Sequence, residues 1–322
     1  MISWQEFSRG KWGKGDIHEF ALHLEDHLFP LHRELLIGRY RHGAYTPFYI
    51  TDPKIRHIHK AQVRDRLVHH AIFRILYQLF DRSFIFDSYS CRLGKGTHRA
   101  IERLRVFLRK ESNNITRPVY VLKCDVRRFF DSVDHNVLLE LLWDRLGTDR
   151  VMKLLEQIIV GFEVSKGKGI PLGNVTSQLF ANIYLNELDQ FVKHVLKATY
   201  YIRYCDDFVI ISHDKVWLGE LIMRLQEFLS QRLCLELHPK KVSIRKWSQG
   251  IDFLGYISLP DHTIVRPLTR KRMMNKLIER IHEFQLGRIT KERLESTRQS
   301  YLGMLGHCNA RRLEEVIKKM TM

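Results

Sequence analysis

The chain has 322 residues, is 44% hydrophobic and carries a formal net charge of +17, so it can bury a large core in two or three lobes and needs a polyanionic partner. Residues 1–22 are polar, aromatic and charged, and nothing reads as a signal peptide or transmembrane span, which favours nucleic acid over a membrane surface. The five cysteines are scattered without a Cys-x-x-Cys pair, which argues against a zinc ribbon or disulfide scaffold and for a reducing cytosol.

Apolar residues from Ile17 to Leu35 recur at three- and four-residue steps, which predicts helix interrupted near Pro30. His23 and His27 lie in HLEDH with a spacing that suits two metal ligands, but the Glu is not in the zincin position. Surface histidine on an amphipathic helix is the better reading. Short strands are expected at Tyr45–Ile50 and Ile55–His59, with Lys54 and Arg56 between and beside them, and a strong helix from Asp65 to Phe80. A glycine-flanked basic loop, Ser88–Thr97, then runs into a basic helix over Ala100–Lys110.

Val119–Val126 is an almost continuous apolar strand of the kind buried on both faces, and it ends in Asp125. A carboxylate there is costly to desolvate unless paired or metal-bound, although a strand-end residue can also simply reach solvent. Ser132 or Asp134 can cap a helix running to about Leu146. Residues 165–178, SKGKGIPLGNVTSQ, form a shaped loop in which Gly173 allows close approach. From Thr176 a long amphipathic helix is expected, with Ser177 and Gln178 in its first turn. Two β-prone runs joined at Tyr204-Cys205-Asp206-Asp207 read as a hairpin with carboxylates at its tip. Adjacent aspartates there raise each other's proton affinity unless a cation sits between them, though Asp is also a common turn residue.

Trp217–Leu233 is helical. Strands at Leu235–Leu237 and Val242–Ile244 flank the basic turn His238-Pro239-Lys240-Lys241, and Ile251–Ile257 and the stretch around Ile264 read as further strands. From Leu268 the chain is helical, and residues 265–322 hold fourteen Lys or Arg and six Glu, a surface suited to tracking a phosphate backbone.

Asp125 and the Asp206-Asp207 pair are separated by about eighty residues, enough for a helical excursion that returns to the same sheet. Three converging carboxylates can bind two Mg²⁺ ions about 4 Å apart, an arrangement that makes or cuts phosphodiesters. The order LKCDVRRFFDSVDH, GIPLGNVTSQLFANIYLNELD, RYCDDFVI, LELHPKKVSI, IDFLGY resembles the successive palm blocks of reverse transcriptases. PKIRHIHKAQVRDRLVHHAI and SYSCRLGKGTHRAI are similar to the fingers blocks of the bacterial members, so the likeness covers about residues 45–260.

That resemblance implies an α+β right-hand polymerase: an amino-terminal extension and fingers over 1–118, and a palm of antiparallel sheet plus helices over 119–262. Some fingers elements would fall at about 145–175, and a short helical thumb would occupy 263–322. It implies Asp125, Asp206 and Asp207 as ligands of two Mg²⁺ ions, with Mn²⁺ as substitute, assisted by the Val126 carbonyl. Lys54 and Arg56 match the cations that grip the triphosphate, and Phe130 the aromatic gate against a ribose 2′-hydroxyl, with Asp131 one residue later. Lys241, or Lys240 beside it, matches the lysine that protonates pyrophosphate, and Phe253-Leu254-Gly255-Tyr256 the primer grip. Deoxynucleotides, a template RNA and the RNA/cDNA duplex are the implied partners, in the cytoplasm of a bacterium and encoded by it or by a phage.

Most bacterial relatives read PQGxxxSP before the long helix; here Leu172 replaces the glutamine and Gln178 the proline. This departure, with the amino-terminal SWQEF and the TSQLFANIY run, resembles the enzymes of diversity-generating retroelements, which copy a template RNA with errors opposite adenine. An apolar Leu172 beneath the nascent base pair would remove a hydrogen-bonding contact worth on the order of 1 kcal/mol. About sixty residues follow the primer grip, room for a thumb but not for an RNase H, maturase or endonuclease domain. The resembled group supplements such a chain with a small, basic, helical, oligomeric accessory protein. The alternative is a defence-associated or retron-type enzyme with a dedicated non-coding RNA.

Overall fold

A computed structural model describes residues 1–51 and 55–320, so the expectation at Lys54 lies outside the described residues. The amino-terminal helices α1 (Ile2–Ser8), α2 (Gly15–Leu22) and α3 (Leu24–Leu36) turn Trp4, Phe7, Ile17, Phe20 and Leu31 inward. The break expected near Pro30 falls instead at His23, whose φ of −118° and ψ of 38° leave the helical region, and Pro30 sits inside α3. On that exposed face the proline removes one backbone donor, and water can serve the carbonyl it frees. His23 is the N-cap of α3 and His27 lies in its first turn, and among the described residues the two belong to no group of three His, Cys, Asp or Glu that could hold a metal ion.

Strands β1 (Thr46–Ile50) and β2 (Arg56–Lys60) pair antiparallel, from Thr46 opposite Lys60 to Ile50 opposite Arg56. The next two helices follow the three- and four-residue spacing of their apolar positions. Helix α4 (Val63–Phe80) buries Leu67, Val68, Ile72, Leu76 and Phe80. Helix α5 (Thr97–Glu111) buries Ala100, Ile101, Leu104, Phe107 and Leu108.

The central sheet starts with β3 (Tyr120–Asp125). The chain leaves it through α6 (Phe129–Ser132), α7 (His135–Leu146), α8 (Asp149–Val160) and α9 (Val175–Gln190). It returns as β4 (Tyr200–Tyr204) and β5 (Asp207–Ser212), then passes through α10 (Lys215–Leu233) to β6 (Ser243–Lys246). The order is β4-β5-β3-β6, antiparallel throughout. Leu122, Cys124, Tyr201, Phe208 and Ile210 enter one core with the helices before and after β3, whereas Val121, Ile202, Val209 and Ile211 enter a second core with α5 and the carboxy-terminal elements. Burial on both faces is why residues 119–126 read as an almost unbroken apolar run.

Helix α9 corrects the expectation of an amphipathic helix. It runs between α4, α7 and α10 and is buried on nearly every side, including the polar Asn182 and Asp189. A helix without a solvent face carries no one-sided pattern.

Ile251–Ile257, expected as one strand, folds back on itself as β7 (Ile251–Phe253) and β8 (Tyr256–Ser258), and β9 (Thr263–Val265) completes a small sheet. Leu254 and Gly255 take φ of 50° and 89°, the two left-handed residues of a two-residue hairpin, a conformation that costs Gly255 little. Leu235–Leu237, also expected as a strand, contributes a single bridge from Leu237 to Val126. Helices α11 (Pro267–Gln285), α12 (Lys291–Leu305) and α13 (Arg311–Lys319) close the second core with Met273, Leu277, Leu294, Leu305 and Ile317. Among the described residues no helix is long and apolar enough to cross a membrane.

Asp134 caps α7 as expected, accepting from the amides of Asn136 at 3.0 Å and Val137 at 3.3 Å. Asp134→Ala should lower stability by about 1 kcal/mol in urea unfolding, and an unchanged midpoint would show the cap to be idle.

Candidate active site

Register brings the carboxylates together. Asp125 ends β3 directly opposite Asp207 at the start of β5, and both lie on the face that looks toward the second core. The turn itself is Cys205-Asp206, with Cys205 left-handed at φ 55°, so Asp206 stands at the tip and Asp207 is already in the strand. The Asp206 carbonyl accepts the Val126 amide at 3.1 Å, and the Asp125 carbonyl accepts the His238 amide at 2.7 Å. These bonds lock the turn, the strand end and the basic loop to one another.

That loop aims Lys241 at Asp125. Its Nζ donates to both carboxylate oxygens, at 2.9 and 2.8 Å, and Asp125 is only 7% exposed. Burial pushes the Asp207 carboxyl up to about 6; the Lys123 ammonium opposes this, and the charges of Asp125 and Asp206 add to it. The site therefore holds more negative charge than it can comfortably ionise, and the Lys241 ammonium already occupies the place of a cation on Asp125. Carboxylate oxygens are the hard donors that a divalent ion of the Mg²⁺ type takes, and the register sets those of Asp125 and Asp207 on opposite residues of one face.

Support comes from beneath the turn, where Arg203 is fully buried. It holds both carboxylate oxygens of Asp189 at 2.7 Å, and its Nη1 donates at 3.2 Å to Asn182 Oδ1 and to the Cys205 carbonyl. Tyr201 donates to the same Asp189 at 2.7 Å. Burial lowers the proton affinity of Arg203, but the Asp189 charge more than offsets it and holds the guanidinium above its ordinary value. Sequence reasoning missed Arg203, Asp189 and Asn182. Their spacing on α9 and β4 looks like ordinary helix and strand pattern, and only a polar residue inside an apolar run hinted at them.

The other expected residues form two further groups. Ile170 donates to the Phe130 carbonyl at 2.8 Å, which sets the 165–174 loop beside the half-buried Phe130. Leu172 and Gly173 lie against β2, the strand that begins with the exposed Arg56. In the first turn of α9, Ser177 is buried and only Gln178 is exposed, so of the pair expected to face the loop Gln178 alone is open to solvent. Phe253, Leu254, Gly255 and Tyr256 make the β7–β8 hairpin. Lys123 fastens it by donating to the Asp252 carbonyl at 3.0 Å, from two residues before Asp125 on the same face of β3. Tyr256 also reaches the Met304 carbonyl of α12 at 2.9 Å.

Residues 51–258 match the family model described as reverse transcriptase (RNA-dependent DNA polymerase), and the chain belongs to that family. The matched domain is that of an RNA-directed DNA polymerase. The Protein YkfC of Escherichia coli is 27% identical over 280 residues, covering 74% of this chain and 71% of that protein. The group II intron-encoded protein LtrA of Lactococcus lactis is 23% identical over 69% of this chain, but the chain spans only 48% of its length. The solved telomerase of Candida albicans in complex with a fragment of telomeric RNA shares the fold, with a TM-score of 0.53 and 12% identity over 75% of this chain and 51% of that one. The architecture is accordingly the α+β right-hand polymerase fold.

Two measurements check the electrostatics. Arg203→Leu strands the buried Asp189 and should cost about 3–5 kcal/mol, with Arg203→Lys between it and wild type; equal unfolding midpoints would show the pair to be dispensable. In divalent-free buffer the folded chain holds the Asp207 proton more tightly than the unfolded chain, so stability falls as pH rises from the ordinary 3.8 through about 6. Asp207→Asn should thus be the more stable variant above pH 6 and equal to wild type below the ordinary carboxylate range; a gain independent of pH would contradict the assignment.

Proposed function

We propose that this chain is an RNA-directed DNA polymerase that makes error-prone cDNA from a template RNA in a diversity-generating retroelement. In this reading residues 1–118 are the amino-terminal extension and fingers, 119–262 the palm with fingers elements near 145–175, and 263–322 the thumb. The single observation that carries the retroelement assignment is the loop Pro171-Leu172-Gly173-Asn174-Val175-Thr176-Ser177-Gln178, with leucine and glutamine where most bacterial relatives have glutamine and proline.

Asp125, Asp206, Asp207 and the Val126 carbonyl hold two Mg²⁺ ions in this proposal. When bound, the ions lower the pKa of the primer hydroxyl and stabilise charge on the leaving pyrophosphate. Lys241 gives the pyrophosphate its proton from Nζ, and the fingers cations Lys54 and Arg56 orient the triphosphate through charge and a forked donor set. Phe130 excludes a ribose 2′-hydroxyl, which selects deoxynucleotides. Leu172 and Gly173 pack under the new base pair, with Gln178 beside them. The β7–β8 hairpin, Phe253-Leu254-Gly255-Tyr256, steadies the primer end. The basic carboxy-terminal helices track the duplex backbone. A small, basic, oligomeric helical protein and a structured RNA complete the proposed assembly, in the cytoplasm of a bacterium.

Primer extension on an RNA template with deoxynucleotides is the test. Wild type should extend the primer and Asp206→Ala should lose at least about a thousandfold in rate, the scale of a removed metal ligand or charge stabiliser. Sequenced products should carry errors concentrated at template adenines. Faithful copying would contradict the retroelement assignment and favour a retron-type or defence enzyme, and no extension at all would contradict polymerase activity.

A further inference from the structure

Asn174 stands at the N-cap position of α9, where asparagine ordinarily accepts a hydrogen bond from the first turn of the helix. It makes no such bond. The side chain is 3% exposed, and its Nδ2 donates at 3.0 Å to the carbonyl of His59 on β2. The amide of the same His59 donates at 3.0 Å to the carbonyl of Leu172. His59 lies opposite Pro47 on β1 at a position where the pair is not hydrogen-bonded, so its amide and carbonyl point away from β1 and meet the loop. Residues 172–174 thereby lie along β2 as a turn, tied to it by one backbone and one side-chain hydrogen bond.

The contact is close and deliberate in its chemistry. A Cβ at Gly173 would come within 2.7 Å of Ile58 Cγ2, and Gly173 has a φ of +106°, so only glycine lets the loop lie this near to β2. Asn174 Oδ1 is buried without a hydrogen-bond partner, a cost that capping α9 would have avoided. A few residues on, Thr176 Oγ1 lies 3.0 Å from His69 Nδ1, and His69 Nε2 lies 2.9 Å from His42 Nε2. That chain nails the start of α9 to α4, and the Asn174–His59 bond carries the connection outward to the hairpin.

We infer that Asn174 is a positioning residue that couples the hairpin bearing Arg56 to the loop bearing Leu172, so that the phosphate side and the base side of the nucleotide pocket move as one body. This rests on the polymerase reading above. Arg56 is three residues before His59 on the same strand, and the His59 amide and carbonyl hold Leu172 and Asn174, so a displacement of the hairpin by a triphosphate reaches the loop along β2 and across these two bonds.

Single-nucleotide incorporation on an RNA template by wild type, Asn174→Ala, Arg56→Ala and the double variant tests the coupling. Each single change should raise the KM for the deoxynucleotide about fivefold, the worth of one such hydrogen bond, with kcat held within about twofold. The double variant should be no worse than the worse single one. Asn174→Asp keeps the volume and can cap α9 but lacks the donor, and it should show the same rise. A wild-type KM in Asn174→Asp, a double variant near the product of the single effects (about 25-fold), or a loss confined to kcat overturns the coupling. Absence of any incorporation by wild type overturns the polymerase reading itself, and with it this inference.

Discussion

Two carboxylates held directly opposite each other at the ends of the two central strands of a doubly covered sheet are the constraint on which the rest depends. Asp125 and Asp207 cannot drift apart, because the β3–β5 register that places them also pairs Cys124 with Phe208 and Leu122 with Ile210 in the first core. Sliding by one residue would turn the whole apolar set of a strand to the wrong face. The like charges must then be tolerated, and the chain tolerates them with ammonium groups: Lys241 on Asp125, and Lys123 two residues back on the same face. A site built this way is held ready for cations by the fold itself.

Helix α9 connects that centre to the rest of the molecule. Its body supplies Asn182 and Asp189, which fix Arg203 and through it the carbonyl of Cys205 in the carboxylate turn. Its amino-terminal end carries the Leu172 loop, tied to β2, and Thr176, tied to α4. A helix with duties at the turn and the loop, packed among α4, α7 and α10, leaves only Gln178 of its residues exposed to water. Fully buried ion pairs rarely add net stability, so the Asp189–Arg203 pair is better understood as specifying one geometry for the turn.

The elements that position the carboxylates were legible in the sequence because local signals agreed with the final packing. Residues 119–126 form an apolar run broken only by Lys123 and Asp125, Asp134 precedes a helix it caps, and two β-prone runs flank Cys205-Asp206. Where tertiary context overrode local pattern, the sequence misled. Pro30 looked like a helix break but sits in a helix whose exposed face tolerates it. Leu254-Gly255 was hidden inside an apolar stretch that reads as a continuous strand, and only the paired left-handed φ values show a hairpin. Arg203 and Asn174 were unreadable for a different reason: their partners lie 14 and 115 residues away, on Asp189 and His59, and no local spacing records such a bond.

In the proposed reading it is loop 171–178 that sets how faithfully this chain copies, since carboxylates of this kind serve careful and careless polymerases alike. The most direct measurement is the incorporation of each deoxynucleotide opposite a template adenine, by wild type and by Leu172→Gln. The account predicts frequent misincorporation by wild type and a gain of about fivefold in selectivity for the correct nucleotide in the variant. Equal selectivity in the two would contradict it.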